Sequence, residues 1–584
     1  VHYEIQHLEQ KMKLPADGIK SVTTRLCIVS VFLVLLVQWY LYKPWNKNQV
    51  FMHDAQEYYA FVPAFFIYGD INFNYFNKAG NETAVRPPLF ETKNGFTVKR
   101  SIGQAVLYTP WFLPAWAYYS IKGHPGTGYE RGYQIAVSFG ALMYAFLALL
   151  LLASVLSQFI GPTAVCMTLV SVFLATNLYY YTAIHGVMTH VHSFFLFALF
   201  IWLTMKWYKK PGYKYSAAIG FTLGLITIVR PTNIIIALLF LCWQPELLKY
   251  RIKLYLTHFR KILLLTAVSF IPILLQISIW KHQTGEWIYY SYGNEKFFFN
   301  DPEIIKGLFS FRNGLFPYAP VLLLAIPGLL FMFTKKNPLR LALIVLLPLN
   351  FYIIYSWWCW WYGGALGARA AIESYVLLAF PLGHVYQKLS QNNISRAITG
   401  GLITLFVILN LVNTRWFTEG LLHYDAMTQR TYFNLLKTGK QPPLHYDSML
   451  EPDYEGAMTG EEQYQHWNKL TPENPYSNTI IIENPTTDSL QTTVEFGIFS
   501  SLKFPEQTLW ITVSAFDHNS QNTLLDATPL GPETIGNRGW NSATLAINIK
   551  LPENTALVKI YLHYTGAGEA YYRKVKMPVN IGNM

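Results

Sequence analysis

Charge is what this chain has least of. Only 13% of its 584 residues are Asp, Glu, Lys or Arg, about half the roughly 25% of a soluble domain. That deficit argues against an ordinary water-soluble globule. Cysteine is nearly as scarce: Cys27, Cys166, Cys242 and Cys359 all fall in or beside apolar runs, and no Cys-x-x-Cys pair occurs. Nothing therefore suggests a zinc or dithiol site, and the long polar C-terminal region has no disulfide of its own. No Gly-rich phosphate loop is present. The formal net charge is +12, but there is no basic stripe interleaved with aromatics and no nucleic-acid motif, so nucleic acid is set aside as a partner.

What the chain does have is apolar. Hydrophobic residues make up 52% and aromatics 16%, gathered in repeated membrane-length runs that read as a polytopic membrane protein. Runs at about 22–42, 132–157, 162–182, 187–207, 214–229, 231–247, 261–281, 316–334, 339–356, 372–387 and 397–416 give about eleven spans. The first ends in Trp39-Tyr40-Leu41-Tyr42-Lys43 with no small-x-small cleavage site, as a retained signal anchor would. Val1 in place of Met is expected to reflect trimming or an alternative start. Basic clusters occupy alternate turns, at Lys206–Lys214, Lys249–Lys261, Lys335–Arg340 and Lys388–Arg396. The positive-inside rule then puts 43–131, 282–315, 357–371 and everything after 416 on the non-cytoplasmic side.

The chemistry-bearing residues fall on that side. Asp54 and Glu57 stand three apart, one face of a helix if the segment is helical, beside Tyr58 and Phe61. Carboxylates at a bilayer rim are costly to desolvate and are functional suspects; acids on an interfacial helix that simply face water are the plainer reading. Arg230-Pro231-Thr232 interrupts two short apolar runs. Its guanidinium suits a phosphate bidentately, or snorkels to headgroups. His185, His190 and His192 crowd one turn, with substrate hydrogen bonding favoured over metal ligation because no carboxylate is near in sequence. Arg312 precedes Gly314 in a loop, as a ligand or as a solvated side chain. Trp360, Trp361 and Tyr362 are followed by Gly363, Gly364, Gly367 and Arg369. Aromatic rings stack on sugars and also settle at membrane interfaces. The glycines and the arginine favour a functional loop.

Together the first-loop acids, the Arg230–Thr232 break and the Trp360–Arg369 loop resemble the GT-C superfamily of integral membrane glycosyltransferases, in particular the branch with protein O-mannosyltransferases and the lipid A aminoarabinose transferase. The resemblance covers about residues 20–415. It implies a sugar donor on a polyprenyl phosphate, its tail among membrane lipids, and a protein, lipid or polysaccharide acceptor on the periplasmic side of a bacterial inner membrane. It further implies Asp54 as the base, Glu57, Tyr58, His185 and His190 as acceptor or positioning residues, Arg230, Arg369 and Arg312 on the donor phosphate, and Trp360, Trp361 and Tyr362 stacking on the sugar. The family often has adjacent acids, whereas Ala55 and Gln56 separate the two here. No cofactor or metal-ligand set follows, although a divalent cation beside the acids stays open.

After about 417 the composition turns polar. The expected fold is mostly α: a transmembrane bundle over 1–416 with its first external loop at 43–131, a connector over 417–490, and a small β-sandwich-like domain over 491–584. The strand signals are Val494–Ile498, Leu509–Val513, Leu545–Leu551 and Val558–Leu562, each with one apolar face. That domain binds acceptor or carbohydrate, or braces the membrane part. Two other readings of the whole chain stay open: a transporter or flippase without covalent chemistry, and a ligase or polymerase using a pyrophosphate-linked lipid. No clear internal repeat favours the transporter.

Overall fold

The computed structural model describes residues 19–47, 49–77, 86–293, 295–334, 337–440, 468–470, 476–477, 479–483, 485, 489–500, 509–519, 521–530, 539–565 and 570–572. Two compact units emerge. One comprises the chain up to Gly293 with Phe299–Ser356 and Leu366–Glu419. The other comprises the short segment ending at Phe298, Trp357–Ala365 and the chain from Gly420 onward.

The first unit is helical, because its apolar runs have nowhere to satisfy backbone N–H and C=O groups except along their own axis. Among the described residues five helices are long and apolar enough to cross a membrane: the one beginning at Val22, Arg131–Leu156, Thr189–Lys209, Phe259–Thr284 and Asn393–Thr418. Pro162–Leu174, Tyr213–Val229, Pro320–Thr334 and Arg340–Tyr355 are apolar but shorter. The structure therefore does not reproduce the expected eleven spans by length and composition. The run 231–247 shows why. It is a tight turn, Pro231–Ile236, then a short helix, Ala237–Cys242. The chain then bends by 80° into Pro245–Thr257, with Gln244 left-handed at φ 51° ahead of Pro245.

Close packing explains how this unit holds its loops. Gly220 and Gly224, one turn apart, face helix Phe259–Thr284: a Cβ at Gly220 would collide with the Leu265 carbonyl oxygen, and one at Gly224 with that of Ser269. Such small-xxx-small faces let two helix backbones meet. The stretch 43–131, expected as the first external loop, is more ordered than its polar composition implies. It holds a helix, Asp54–Pro63, and a π-helical turn, Ala64–Tyr68. A hairpin of β1 (Phe90–Thr92) and β2 (Gly95–Thr97) follows, then a helix with two prolines, Gly103–Ile121. Gln283, fully buried at the end of Phe259–Thr284, pins this loop. It accepts from Thr97 Oγ1 at 2.8 Å and donates to the Ile71 carbonyl at 2.7 Å, while its own carbonyl accepts from Thr92 Oγ1 at 2.7 Å.

The second unit carries two antiparallel four-stranded sheets. One has the order β3 (Asn468–Leu470), β10 (Ala570–Tyr572), β5 (Ser489–Ser500), β8 (Gly539–Lys550). The other runs β4 (Ile480–Glu483), β9 (Thr555–Tyr564), β6 (Leu509–Asp517), β7 (Asn522–Pro529). Alternate residues of β6 and β9, among them Ile511, Val513, Val558 and Ile560, join Ile547 of the facing sheet in one core, as alternation predicts. The four strands expected from sequence fall in β5, β6, β8 and β9, Leu545–Leu551 running one residue past the end of β8. β7 carries no buried apolar face and so had no alternation to read. β3 and β4 lie in the stretch expected as a connector.

Replacing Gly224 by leucine forces the two helices apart. Overpacking of this kind costs about 1–3 kcal/mol, and thermal unfolding in detergent is expected at a clearly lower temperature than for wild type. An unchanged transition would show that the contact does not hold the bundle.

Candidate active site

The helix Asp54–Pro63 is buried along nearly its whole length, its two acids included. Both stand in its first turn, where the helix dipole favours negative charge. His53, just before it, takes φ 56°, ψ −135°, unusual for a residue with a Cβ. Asp54 Oδ1 lies 2.7 Å from Arg100 Nη2, and its Oδ2 lies 3.3 Å from Arg369 Nη1. Glu57 Oε1 is 4.0 Å from Arg100 Nε. The spacing of three thus does put both acids on one face, and Arg100 meets both. Arg230 forms a second pair, 2.9 Å from Glu373 Oε1.

Three distant stretches have to meet for this. Arg100 precedes helix Gly103–Ile121. A Cβ at Gly103 would strike the Ile228 backbone, Ser101 Oγ donates to the Ile228 carbonyl at 2.5 Å, and Gln276 Oε1 accepts from the Ile102 N–H at 2.8 Å. The segment therefore docks on the last turn of Tyr213–Val229, which ends at Arg230 because Pro231 cannot continue it. Arg369 is placed from the other side. Asn177 is buried and donates to the Leu366 carbonyl at 2.8 Å while accepting from Tyr375 Oη at 2.7 Å. Gly367, at φ 63°, lies where a Cβ would press on Tyr318.

The two carboxyls are not equivalent. Burial pushes the Asp54 pKa up, but the charges of Arg100 and Arg369 more than offset this and hold it well below the usual carboxylate range. Burial dominates at Glu57. Arg100 opposes it and the Asp54 charge adds to it, so the pKa rises to about 7. His185 is held neutral, down to about 3, first by burial and then by His53 and Arg369. Several buried atoms here have no hydrogen-bond partner: Glu57 Oε2, Glu373 Oε2, His185 Nε2 and both ring nitrogens of His190. Orphaned polar atoms of this kind are what a polar ligand satisfies.

Of the residues singled out from sequence, the structure gathers Asp54, Glu57 and Arg369 directly. Tyr58 packs its ring 5.9 Å from the Arg100 guanidinium. His185 lies edge-on to His53 at 6.3 Å, and His190 edge-on to Tyr181 at 4.8 Å. Arg312 is buried in the turn ahead of Leu315–Tyr318. Trp360 and Trp361 are buried in the second unit, where Trp361 Nε1 donates to Asp425 Oδ1 at 2.5 Å; Tyr362 is half-buried. Among the described residues no three His, Cys, Asp or Glu side chains group as a metal site. Sequence reasoning missed Arg100. Its signal was present: Lys99-Arg100 is a basic pair in the stretch 43–131, which the charge bias of the chain assigns to the outer side.

No family model matches the chain, and no curated protein matches it. Among solved structures it is similar to the cryo-EM structure of arabinosyltransferase EmbB from Mycobacterium smegmatis, at 10% identity and a TM-score of 0.31. The likeness covers 76% of this chain and 57% of that one. A likeness so slight says nothing of what this chain acts on.

The Glu57 pKa makes stability depend on pH. The native carboxyl keeps its proton between its ordinary 4.5 and about 7, whereas the unfolded one loses it. The native state therefore loses stability as pH rises through that window. Glu57→Gln is expected to remove this fall, read as thermal unfolding from pH 5 to 8. An identical pH dependence in both proteins would refute the assignment.

Proposed function

We propose that the chain is an integral membrane glycosyltransferase that moves a sugar from a polyprenyl-phosphate donor to a hydroxyl of a protein, lipid or polysaccharide on the periplasmic face of a bacterial inner membrane. The observation that carries this reading is the meeting of two carboxyls with Arg100 and Arg369 in one buried cluster. Arg230 is drawn to the same late segment, three residues past Arg369's neighbour Ala370. Sugar transfer from a lipid phosphate needs these two things together: a group to take the acceptor proton, and positive charge where the phosphate departs.

In this reading Arg230 and Arg369 face the phosphate, and a carboxyl of the Asp54/Glu57 pair takes the proton. The neutral imidazoles of His185 and His190 offer hydrogen bonds to sugar hydroxyls without adding charge. One displacement inverts the anomeric carbon. The spacing of the two acids does not by itself imply a double displacement, since the second need not reach the sugar.

Arg369→Lys and Arg230→Lys are expected to lower turnover about 10²- to 10³-fold, the scale for losing one charge-stabilising donor, because an ammonium does not reproduce the guanidinium fork. Release of label from radiolabelled lipid-phosphate sugars by purified protein measures this. Lysine variants that work at wild-type rates would remove the phosphate role.

A further inference from the structure

We propose that Glu57, rather than Asp54, takes the proton from the acceptor hydroxyl, and that Asp54 is a positioning residue that holds Arg369 for the departing phosphate and Arg100 beside Glu57. The inference rests on the sugar-transfer reading above.

Geometry separates the two acids. Each oxygen of Asp54 meets a guanidinium, at 2.7 Å and 3.3 Å. A carboxylate held this way is stable as an anion and gains little by accepting a proton. Glu57 sits one turn along the same helix face, with Oε1 4.0 Å from Arg100 Nε and Oε2 without a hydrogen-bond partner. Of the pair, it is the carboxyl with an oxygen that no hydrogen-bond donor meets. A general base works best when it titrates near the working pH, and burial brings Glu57 to about 7. The groups facing it are Asp54 on its own helix, and Arg100 and Lys99, including the Lys99 backbone N–H, from the segment docked beside it; Tyr58 lies against Arg100. Tyr292 lies against Arg100. Asp54 favours the protonated form, and the two cations oppose it.

The step balances. The acceptor O–H bond breaks and the proton passes to Glu57 Oε2. The oxygen's electron pair forms the bond to the anomeric carbon. The bond from that carbon to the phosphate oxygen breaks, and its pair leaves on the phosphate, where the added negative charge meets Arg230 and Arg369. Glu57 then returns the proton to water.

Two measurements on the full-length protein test this. The first needs no substrate: infrared titration of the protonated carboxyl band. Wild type should show a band that is lost near pH 7. Glu57→Gln should lack it, and Asp54→Asn should shift it to lower pH, since the like charge is gone and Arg100 is freed to pair with Glu57. A band untouched by Glu57→Gln overturns the proposal.

The second measurement uses farnesyl-phosphate-linked hexoses and pentoses as donors. Methyl glycosides and a Ser/Thr peptide serve as acceptors. Glu57→Gln should cut kcat about 10²- to 10⁴-fold and abolish the acid limb of the pH–rate profile. Asp54→Asn should instead raise KM for the lipid phosphate and keep an acid limb. Wild-type kcat and limb in Glu57→Gln overturn the proposal, whether or not Asp54→Asn is active. A wild type that leaves every donor intact overturns the sugar-transfer reading, and this step with it, whatever the infrared titration reports.

Discussion

Two guanidinium groups share one carboxylate in this protein, and much of the first unit serves to bring them there. Asp54 comes from the first loop, Arg100 from the far end of the same loop and Arg369 from a turn more than 260 positions later in the chain. Burying any one of them alone would be prohibitive; burying them together is tolerable because opposite charges replace the water each has lost. The cluster is also self-limiting. Arg100 reaches two acids, Arg230 turns to Glu373, and each charge is met by a neighbour from a different stretch.

The supports are ordinary packing devices placed where helices end. Gly103 lets one helix start touch another helix's last turn. Pro231 stops Tyr213–Val229 so that Arg230 caps it in an extended conformation. Asn177 ties the backbone at Leu366 and the hydroxyl of Tyr375 together, which sets the turn carrying Arg369. Gln283 clamps the first loop onto the end of Phe259–Thr284. Rigid elements thus hold a polar site whose members share no local sequence signal, the arrangement expected of sites that act by charge.

Legibility followed the range of the physics involved. The apolar runs, the one-face spacing of Asp54 and Glu57, the helix break at Pro231 and the alternating strands β5, β6, β8 and β9 depend on a few neighbouring residues, and each could be read. The number of full spans could not. The stretch 231–247 looks continuous in composition, but it is bent by the left-handed Gln244 next to Pro245. The indoles of Trp360 and Trp361 read as sugar platforms or as an interfacial belt, with the functional loop favoured, and only burial showed them packed inside the second unit. Arg100 was overlooked because its value lies in what it meets.

The sequence by itself determined a helical chain of membrane-length apolar runs with a β-rich C-terminal part and a small set of candidate acids, arginines and histidines, because hydropathy, period and charge bias are local and additive. Tertiary structure alone decided which of those side chains meet and what state each is in. Asp54 became a shared anion and Glu57 a carboxyl that titrates near neutrality, although the two differ by one methylene and one helical turn. The reason is that the desolvation and field felt by a buried charge depend on groups brought in from elsewhere in the chain.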